Sequence, residues 1–576
     1  MKTKAFGLRA ACMTLITAAA LAACGGSDSS DETPPPVVVV VPTAASCAAI
    51  ATMATTGLPV QPAQITLAKF NAAGSTSAGA TPLPDHCQVQ GTLESRSGSD
   101  GVLYGTKFEV RLPLTWNGRF MFQGGGGTEG SLPAATGSAG NAVPALAQGY
   151  AVMTQNGGHD NTLLSSGPAF AVDAKAQADY GYHSVDISTQ TAKALIASFY
   201  GKQPDHSYSV GCSTGGKQGM SLSQMFPAHY DGIVAGDPIY NQGANTLSEN
   251  NALQAVAAIV SKDPATGRPR YFESFSTADY QLVTDALLNT CDALDGLADG
   301  VVDNWQSCRF DPATYVSPTT GQPLQCTGAK TATCLTSAQI GAIKRINAGP
   351  RTLTGAMVTN PFKPDGTTVA GYAYDGGFMS ASSGIPSRDV GTATSQPGNI
   401  GFAAVQIPYM WLATPTPTFD PLLLNYDSDM LRMSSNSPMI SNAIDLSAFK
   451  ARNGKIIYYH GQSDPGPPML HTVNYYDRLV AANGGLAATQ NFARLFLVPG
   501  MGHCSGGPAT DQFDPLTSIV NWVEKGVAPA SIPASGANFT AVPRARSRPL
   551  CPYPLSARYI GAAGGDISVA ANYACR

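Results

Sequence analysis

The feature that most constrains this chain is a pentapeptide, Gly211-Cys212-Ser213-Thr214-Gly215, set between a strand-like run, Ser207–Val210, and a helix candidate, Lys217–Met225. Strand, Gly-x-Ser-x-Gly, helix puts the serine on a sharp, strained turn, where flanking side chains would clash with neighbouring elements; glycine removes that clash. In a chain with 61 glycines the pentapeptide alone decides little. Its context decides more, because short apolar strands that alternate with helices build a mostly parallel sheet. Strand candidates at Thr106–Leu112, Arg119–Gln123 and Tyr150–Thr154 and a helix at Val185–Tyr200 precede the motif. The alternation resumes with strands at Lys455–His460 and Ala493–Val498 and helices near Leu470–Ala482 and Pro515–Lys525. Between them, residues 241–441 are rich in Gly, Pro, Thr, Ser and Asn, carry four cysteines and lack a strand rhythm. The economical reading is a large insertion lying over the C-terminal edge of the sheet, where open α/β sheets take their ligands.

This pattern predicts an α/β-hydrolase fold with a lid domain inserted between nucleophile and acid. The fold places an acid and then a histidine downstream of the serine. Asp464 follows the strand Lys455–His460, and His503 follows the strand Ala493–Val498, which gives the order Ser213, Asp464, His503. His503 would take the proton of Ser213 and return it to the leaving alcohol, while Asp464 would fix the histidine tautomer and stabilise the imidazolium. Asp237 is the alternative acid. The other histidines (His86, His159, His183, His206, His229, His460 and His471) have no such partnering pattern; His159, near the presumed site, is structural or supports it. An oxyanion hole needs two backbone amides. One would be that of Thr214. The other would come from the run Gly124–Gly127, with Gly127 the candidate and Gly126 next. No Gly-Lys-Ser/Thr follows this run, so it is not a phosphate loop.

The ends of the chain speak to compartment. Lys2, Lys4 and Arg9 precede an apolar run from Ala10 to Ala23, about 14 residues long, too short to span a bilayer comfortably. It ends in Leu21-Ala22-Ala23-Cys24, similar to a bacterial lipobox, with an ordinary signal peptide as the alternative. The expected organisation is a signal with lipobox over 1–24, a Pro/Val-rich tether over 25–46, a hydrolase domain over 47–240 and 442–576, and a lid over 241–441. Export to the periplasm, the outer membrane or the medium follows, with membrane attachment through a lipidated Cys24. Setting aside Cys12 and Cys24 leaves ten of the twelve cysteines, and no Cys-x-x-Cys occurs. In an exported chain that reads as five disulfides. If Ser213 and His503 meet, Cys212 and Cys504 beside them fall within the roughly 4.4–6.8 Å Cα range of a disulfide. Charge excludes other classes: 34 Lys and Arg against 38 Asp and Glu, only 12% of residues, rule out a polybasic nucleic-acid binder, an acidic tail and a coiled coil.

A cation site is a candidate in the insertion. Asp292, Asp295, Asp299 and Asp303 are interleaved with Gly296 and Gly300 in one tight segment, oxygen donors that suit a hard cation such as Ca²⁺. The spacing is not that of an EF-hand, and a polar surface loop is the alternative.

Gly211–Gly216, Trp116-Asn117-Gly118-Arg119, the Asp-rich loop and the run from Phe496 to Cys504 together resemble the tannase and feruloyl esterase family, from about residue 47 to the end and most weakly between about 350 and 440. The resemblance implies a triad at Ser213, Asp464 and His503 and a Cys212–Cys504 bridge between its members. It further implies bridges Cys47–Cys87, Cys291–Cys308, Cys326–Cys334 and Cys551–Cys575. It implies Ca²⁺ held by the carboxylates of Asp292, Asp295 and Asp299 and the carbonyls of Leu297 and Val301. Members that take an anionic terephthalate monoester carry a lid arginine a few residues before a Gly-Phe pair. Here the pair is Gly401-Phe402, the stretch Ser395–Ile400 before it has no arginine, and Arg388 is the nearest. Phe402 and Trp411 would contact an aromatic acyl ring, or belong to the lid core. The expected activity is a secreted serine carboxylic-ester hydrolase for feruloyl, galloyl or hydroxyethyl terephthalate esters, with no organic cofactor, no nucleic acid and no obligate protein partner. The rivals are an enzyme dedicated to terephthalate monoesters and a non-catalytic, ligand-binding surface lipoprotein.

Overall fold

The structure, a computed structural model, describes residues 41–140, 142–362, 367–372, 399–433 and 437–576. The signal with Cys12 and Cys24, most of the tether, and Arg388 with residues 395–398 lie outside the described residues.

A nine-stranded sheet organises the chain. Its strands are β1 (Ala63–Asn71), β2 (His86–Ser97), β3 (Leu103–Pro113), β4 (Arg119–Gln123), β5 (Ala151–Gln155), β6 (His206–Cys212), β7 (Gly232–Gly236), β8 (Lys455–Gly461) and β9 (Ala493–Val498). They lie in the order β1-β2-β3-β5-β4-β6-β7-β8-β9. The β1-β2, β2-β3 and β3-β5 pairs are antiparallel, and every pair from β5-β4 to β8-β9 is parallel. The parallel strands β7, β8 and β9 read as mostly apolar runs because both their faces are covered, whereas β6 interleaves Ser207 and Ser209. Phe120, Phe122, Ile233, Ile456, Tyr458 and Leu495 pack on one face with helices α1 (Ser184–Tyr200) and α7 (Met469–Ala482). Met121, Val234, Ile457 and Phe496 alternate with them and pack on the other face with α8 (Pro515–Lys525). This is the layered arrangement that the period-2 alternation of a strand produces between two helical layers.

Two early strands, Ala63–Asn71 and His86–Ser97, and the short Gly232–Gly236 were not among the sequence candidates. The predicted Tyr150–Thr154 sits one residue later, at Ala151–Gln155. Residues 237–454 run from β7 to β8 and contain α3 (Gln242–Ala257), α4 (Thr277–Cys291), α5 (Ser337–Ala348) and α6 (Asn399–Gln406). They carry an apolar cluster of their own, including Leu253, Val256, Val283, Leu287, Ile340 and Ile343. Helix α2 (Thr214–Met225) follows β6 and is buried over most of its length.

Candidate active site

β6 delivers Ser213 and α2 carries the chain away. Ser213 sits at φ 63°, ψ −122°, in the positive-φ region that non-glycine residues rarely occupy. The need for glycine beside it is steric. A Cβ on Gly211 would meet the backbone of Gly215 at 2.7 Å, and one on Gly215 would meet Gly124 at 3.0 Å. The Ser213 amide donates to Gly236 O on the neighbouring strand at 2.9 Å, so the turn is anchored to the sheet.

Asp464 lies just past β8 and His503 just past β9. His503 Nδ1 donates to Asp464 Oδ2 at 2.7 Å, and Asp464 Oδ1 accepts the Gly466 amide at 2.7 Å. Burial works against the Asp464 charge, but His503 and His460 hold its carboxyl well below the usual range. Burial likewise opposes charge on His503, yet the Asp464 carboxylate outweighs it and pushes the ring up to about 9. Asp237, the other acid considered, is fully buried, accepts the Gly461 amide at 2.9 Å and lies 3.8 Å from His460 Nε2. Burial pushes it up to about 7, although His460 opposes the shift. It backs the acid loop, whereas the direct bond to His503 belongs to Asp464. His460 is fully buried, with Nδ1 2.9 Å from Thr472 Oγ1 and Nε2 3.1 Å from Pro467 O.

Cys212 and Cys504 are disulfide-bonded with Cα atoms 5.9 Å apart, joining the residue before Ser213 to the residue after His503 across 292 positions of sequence. The other bridges are Cys47–Cys87, Cys291–Cys308, Cys326–Cys334 and Cys551–Cys575. Ser213, His503 and Gly127 line one cavity of about 250 Å³, together with Ile239, Gln242, Asn245, Thr246, Glu249, Phe402, Gln406, Gly466 and Pro467.

The glycine run lies against the start of α2. The Gly215 amide donates to Gly125 O at 2.9 Å and the Gly125 amide to Gln218 Oε1 at 3.0 Å. Gly127 has φ +59°, and its carbonyl accepts from Tyr180 OH at 3.0 Å and Thr214 Oγ1 at 2.5 Å. With its carbonyl held on that side, the Gly127 amide remains without an acceptor among the described residues. Sequence reasoning missed the groups beneath this loop. Gln218 Nε2 donates to Glu129, which Gln155 also bonds at 2.9 Å, and Lys217 Nζ stands 3.5 Å from the centre of the Tyr180 ring. Lys217 is fully buried; burial pushes it down to about 7 and pushes Glu129 up to about 8. Position was their only sequence signal: Lys217 and Gln218 come one turn after the serine.

The two aromatic candidates separate. Phe402 lines the cavity and is 42% exposed. Trp411 is fully buried and stands edge-on to Phe362, with Nε1 3.4 Å from Gln406 Oε1. It does not line the cavity, because it belongs to the apolar cluster beneath, and Gln406 is the side chain between.

In the Asp-rich loop, the Asp292 carboxylate accepts the amides of Asp299, Gly300 and Val301 at 2.7–3.3 Å, and Asp295 accepts those of Leu297 and Asp303 at 3.0 and 3.2 Å. Asp299 is bonded to Arg548, and its Oδ1 is buried without a partner. Three carboxylates, one of them with an orphaned buried oxygen, and the carbonyls of Leu297 and Val301 within a tight loop fit a hard cation in donor chemistry. No three of the loop's carboxylates bring oxygens within 4.8 Å of one another among the described residues. Binding would therefore require Asp292 and Asp295 to turn from these amides.

A family profile described as "Tannase and feruloyl esterase" matches residues 87–576. The chain is 45% identical over 535 residues to mono(2-hydroxyethyl) terephthalate hydrolase of Piscinibacter sakaiensis, covering 89% of this chain and 88% of the relative. It is 28% identical over 501 residues to feruloyl esterase C of Talaromyces stipitatus, covering 83% and 84%. Among solved structures, feruloyl esterase B of Aspergillus oryzae superposes with a TM-score of 0.72 at 22% identity over 92% of this chain and 100% of the other, a likeness of fold. Tannin acyl hydrolase of Aspergillus niger follows with a TM-score of 0.65 at 19% identity, over 93% of this chain and 95% of the other. With the family profile matching most of its length, this chain belongs to the tannase and feruloyl esterase family and is a carboxylic ester hydrolase.

Proposed function

We propose that the chain hydrolyses esters of aromatic carboxylic acids through an acyl-enzyme on Ser213. The observation that carries this reading is the 2.7 Å bond from His503 to Asp464, on a histidine that lines the same cavity as the strained Ser213. His503 Nε2 takes the proton of Ser213 Oγ as the oxygen attacks the ester carbonyl. The charge that develops on the carbonyl oxygen is met by the amides of Thr214 and Gly127. His503 then protonates the leaving alcohol, and water repeats the sequence on the acyl-enzyme. Asp464 keeps the proton on Nδ1, so that Nε2 faces the serine. Similarity to a terephthalate-ester hydrolase and to feruloyl esterases supports the aromatic class, as does Phe402 at the cavity wall.

The 45% identity to an enzyme named for a terephthalate monoester favours a second reading, a dedicated monoester hydrolase. No Lys or Arg lines the cavity among the described residues, which favours neutral esters over a substrate whose carboxylate needs a bidentate clamp. The rates of mono- against bis-hydroxyethyl terephthalate separate the two. Ser213→Ala tests the mechanism: hydrolysis of methyl ferulate should fall at least about a thousand-fold, and a variant as fast as the parent overturns it. Residues 241–441 act as the lid in this reading, and Ca²⁺ bound at Asp292, Asp295, Asp299, Leu297 and Val301 would brace its loop. A melting temperature unmoved by chelator and by added Ca²⁺ would refute the metal. Export is supported by the five disulfides, which form in oxidising compartments. Palmitate labelling lost in Cys24→Ala tests the anchor.

A further inference from the structure

Helix α3 turns four polar residues to the cavity, Gln242, Asn245, Thr246 and Glu249, at the i, i+3, i+4, i+7 spacing of one helical face. Three of them are held in place. Gln242 Oε1 stands 3.0 Å from Tyr180 OH, sharing its one proton with Gly127 O, and Thr246 Oγ1 donates to Gln406 Oε1 at 2.8 Å. His471 Nε2 accepts the Ala370 amide at 3.0 Å, so its Nδ1 is the donor to Asn245 Oδ1. That relay fixes the Asn245 side chain with its oxygen turned toward His471.

Glu249 is the exception. It is 7% exposed, and its Oε2 is buried without a hydrogen-bond partner. An unpaired buried carboxyl is costly, and here it stands beside Ser213 and His503. Burial raises its proton affinity well above that of an ordinary glutamate; His503 opposes the shift and Asp464 adds to it. A protonated carboxyl offers one donor and one acceptor. A hydroxyl complements both. A substrate carboxylate offers acceptors only and brings an uncompensated charge, while an apolar ring leaves Oε2 unsatisfied.

Resting on the ester-hydrolase reading above, we propose that Glu249 is a specificity residue whose carboxyl receives a neutral hydroxyl of the substrate, carried by the acyl ring or by the leaving alcohol.

The test compares kcat/KM for the parent, Glu249→Gln and Glu249→Leu on two substrate pairs. Ethyl 4-hydroxybenzoate against ethyl benzoate reads the acyl arm; 2-hydroxyethyl benzoate against propyl benzoate reads the alcohol arm. In one arm the parent's preference for the hydroxylated ester should fall roughly ten- to hundred-fold in Glu249→Leu, while Glu249→Gln, neutral and still able to donate and accept, keeps most of it. A merely structural role would slow both members of a pair alike and leave the ratio unchanged. Parental ratios in both arms for Glu249→Leu overturn the proposal. Glu249→Leu should also melt at or above the parent's temperature, since it removes an unsatisfied buried group; a lower melting temperature contradicts the unpartnered state on which the proposal stands. A parent inactive on all four esters would instead overturn the aromatic-ester reading, and the proposal with it.

Discussion

The two walls of the cavity are built on different principles. On the sheet side, Ser213, Asp464 and His503 stand at the ends of β6, β8 and β9, and their placement is a backbone matter. Gly211 and Gly215 have no room for a Cβ, Ser213 is held at positive φ, and a disulfide ties the serine's neighbour to the histidine's. On the excursion side, α3 and α6 present Gln242, Asn245, Thr246, Glu249, Phe402 and Gln406, and their placement is a matter of side-chain hydrogen bonds and packing. On the proposed mechanism the first wall carries the chemistry and the second selects what enters.

The contrast is open to attack from both sides. Asp464→Asn should have the largest effect, a fall in kcat of about 10⁴ with the fold retained, because the histidine is left in the wrong tautomer. Asp237→Asn should cost far less, since the direct hydrogen bond to His503 comes from Asp464 while Asp237 accepts the Gly461 amide; equal losses would erase the distinction drawn between these acids. Replacing Cys212 and Cys504 together by serine should lower kcat roughly ten- to hundred-fold as base and nucleophile lose their fixed spacing, and cost about 2–4 kcal/mol of stability. Full activity with only a lower melting temperature would show that the bridge serves stability alone.

Smaller effects follow. His503 is pushed up to about 9 and must be neutral to act as a base, so kcat/KM should rise with pH and level off near that value. Asp464→Asn removes the charge that raises it, so the limb should move to lower pH; a limb that does not move would detach His503 from Asp464. Smallest, Phe402→Ala should raise KM for aromatic esters about three- to tenfold with kcat nearly unchanged. A loss confined to kcat would mean that the excursion takes part in the chemistry.

Legibility divides along the same line. The strand-turn-helix motif announces itself because glycines and a serine must stand in fixed order, and Asp464 and His503 could be found from chain order after two apolar strands. The excursion offers no such rule. α3, Gln242–Ala257, is buried on nearly every side by polar and small residues, so it has no apolar stripe to betray it, and its run of Asn, Ser and Gln reads as loop. Glu249 was therefore invisible until the helix placed it. Lys217 and Glu129 were overlooked because burial, not composition, makes them unusual. β1 and β2 went unnoticed because they lie where the sheet is antiparallel and half exposed, with apolar residues diluted by polar ones. Residue type leaves Trp411 open between a substrate contact and the lid core; packing assigns it to the core.

The central claim, a nucleophilic Ser213 served by His503, is tested most directly by covalent trapping. Incubating the protein with a p-nitrophenyl phosphonate ester and mapping the adduct by mass spectrometry should place one phosphonyl group per chain on Ser213. Esterase activity should fall in proportion to labelling, and Ser213→Ala should take up none. A label on any other residue, or activity that survives full labelling of Ser213, would contradict the account.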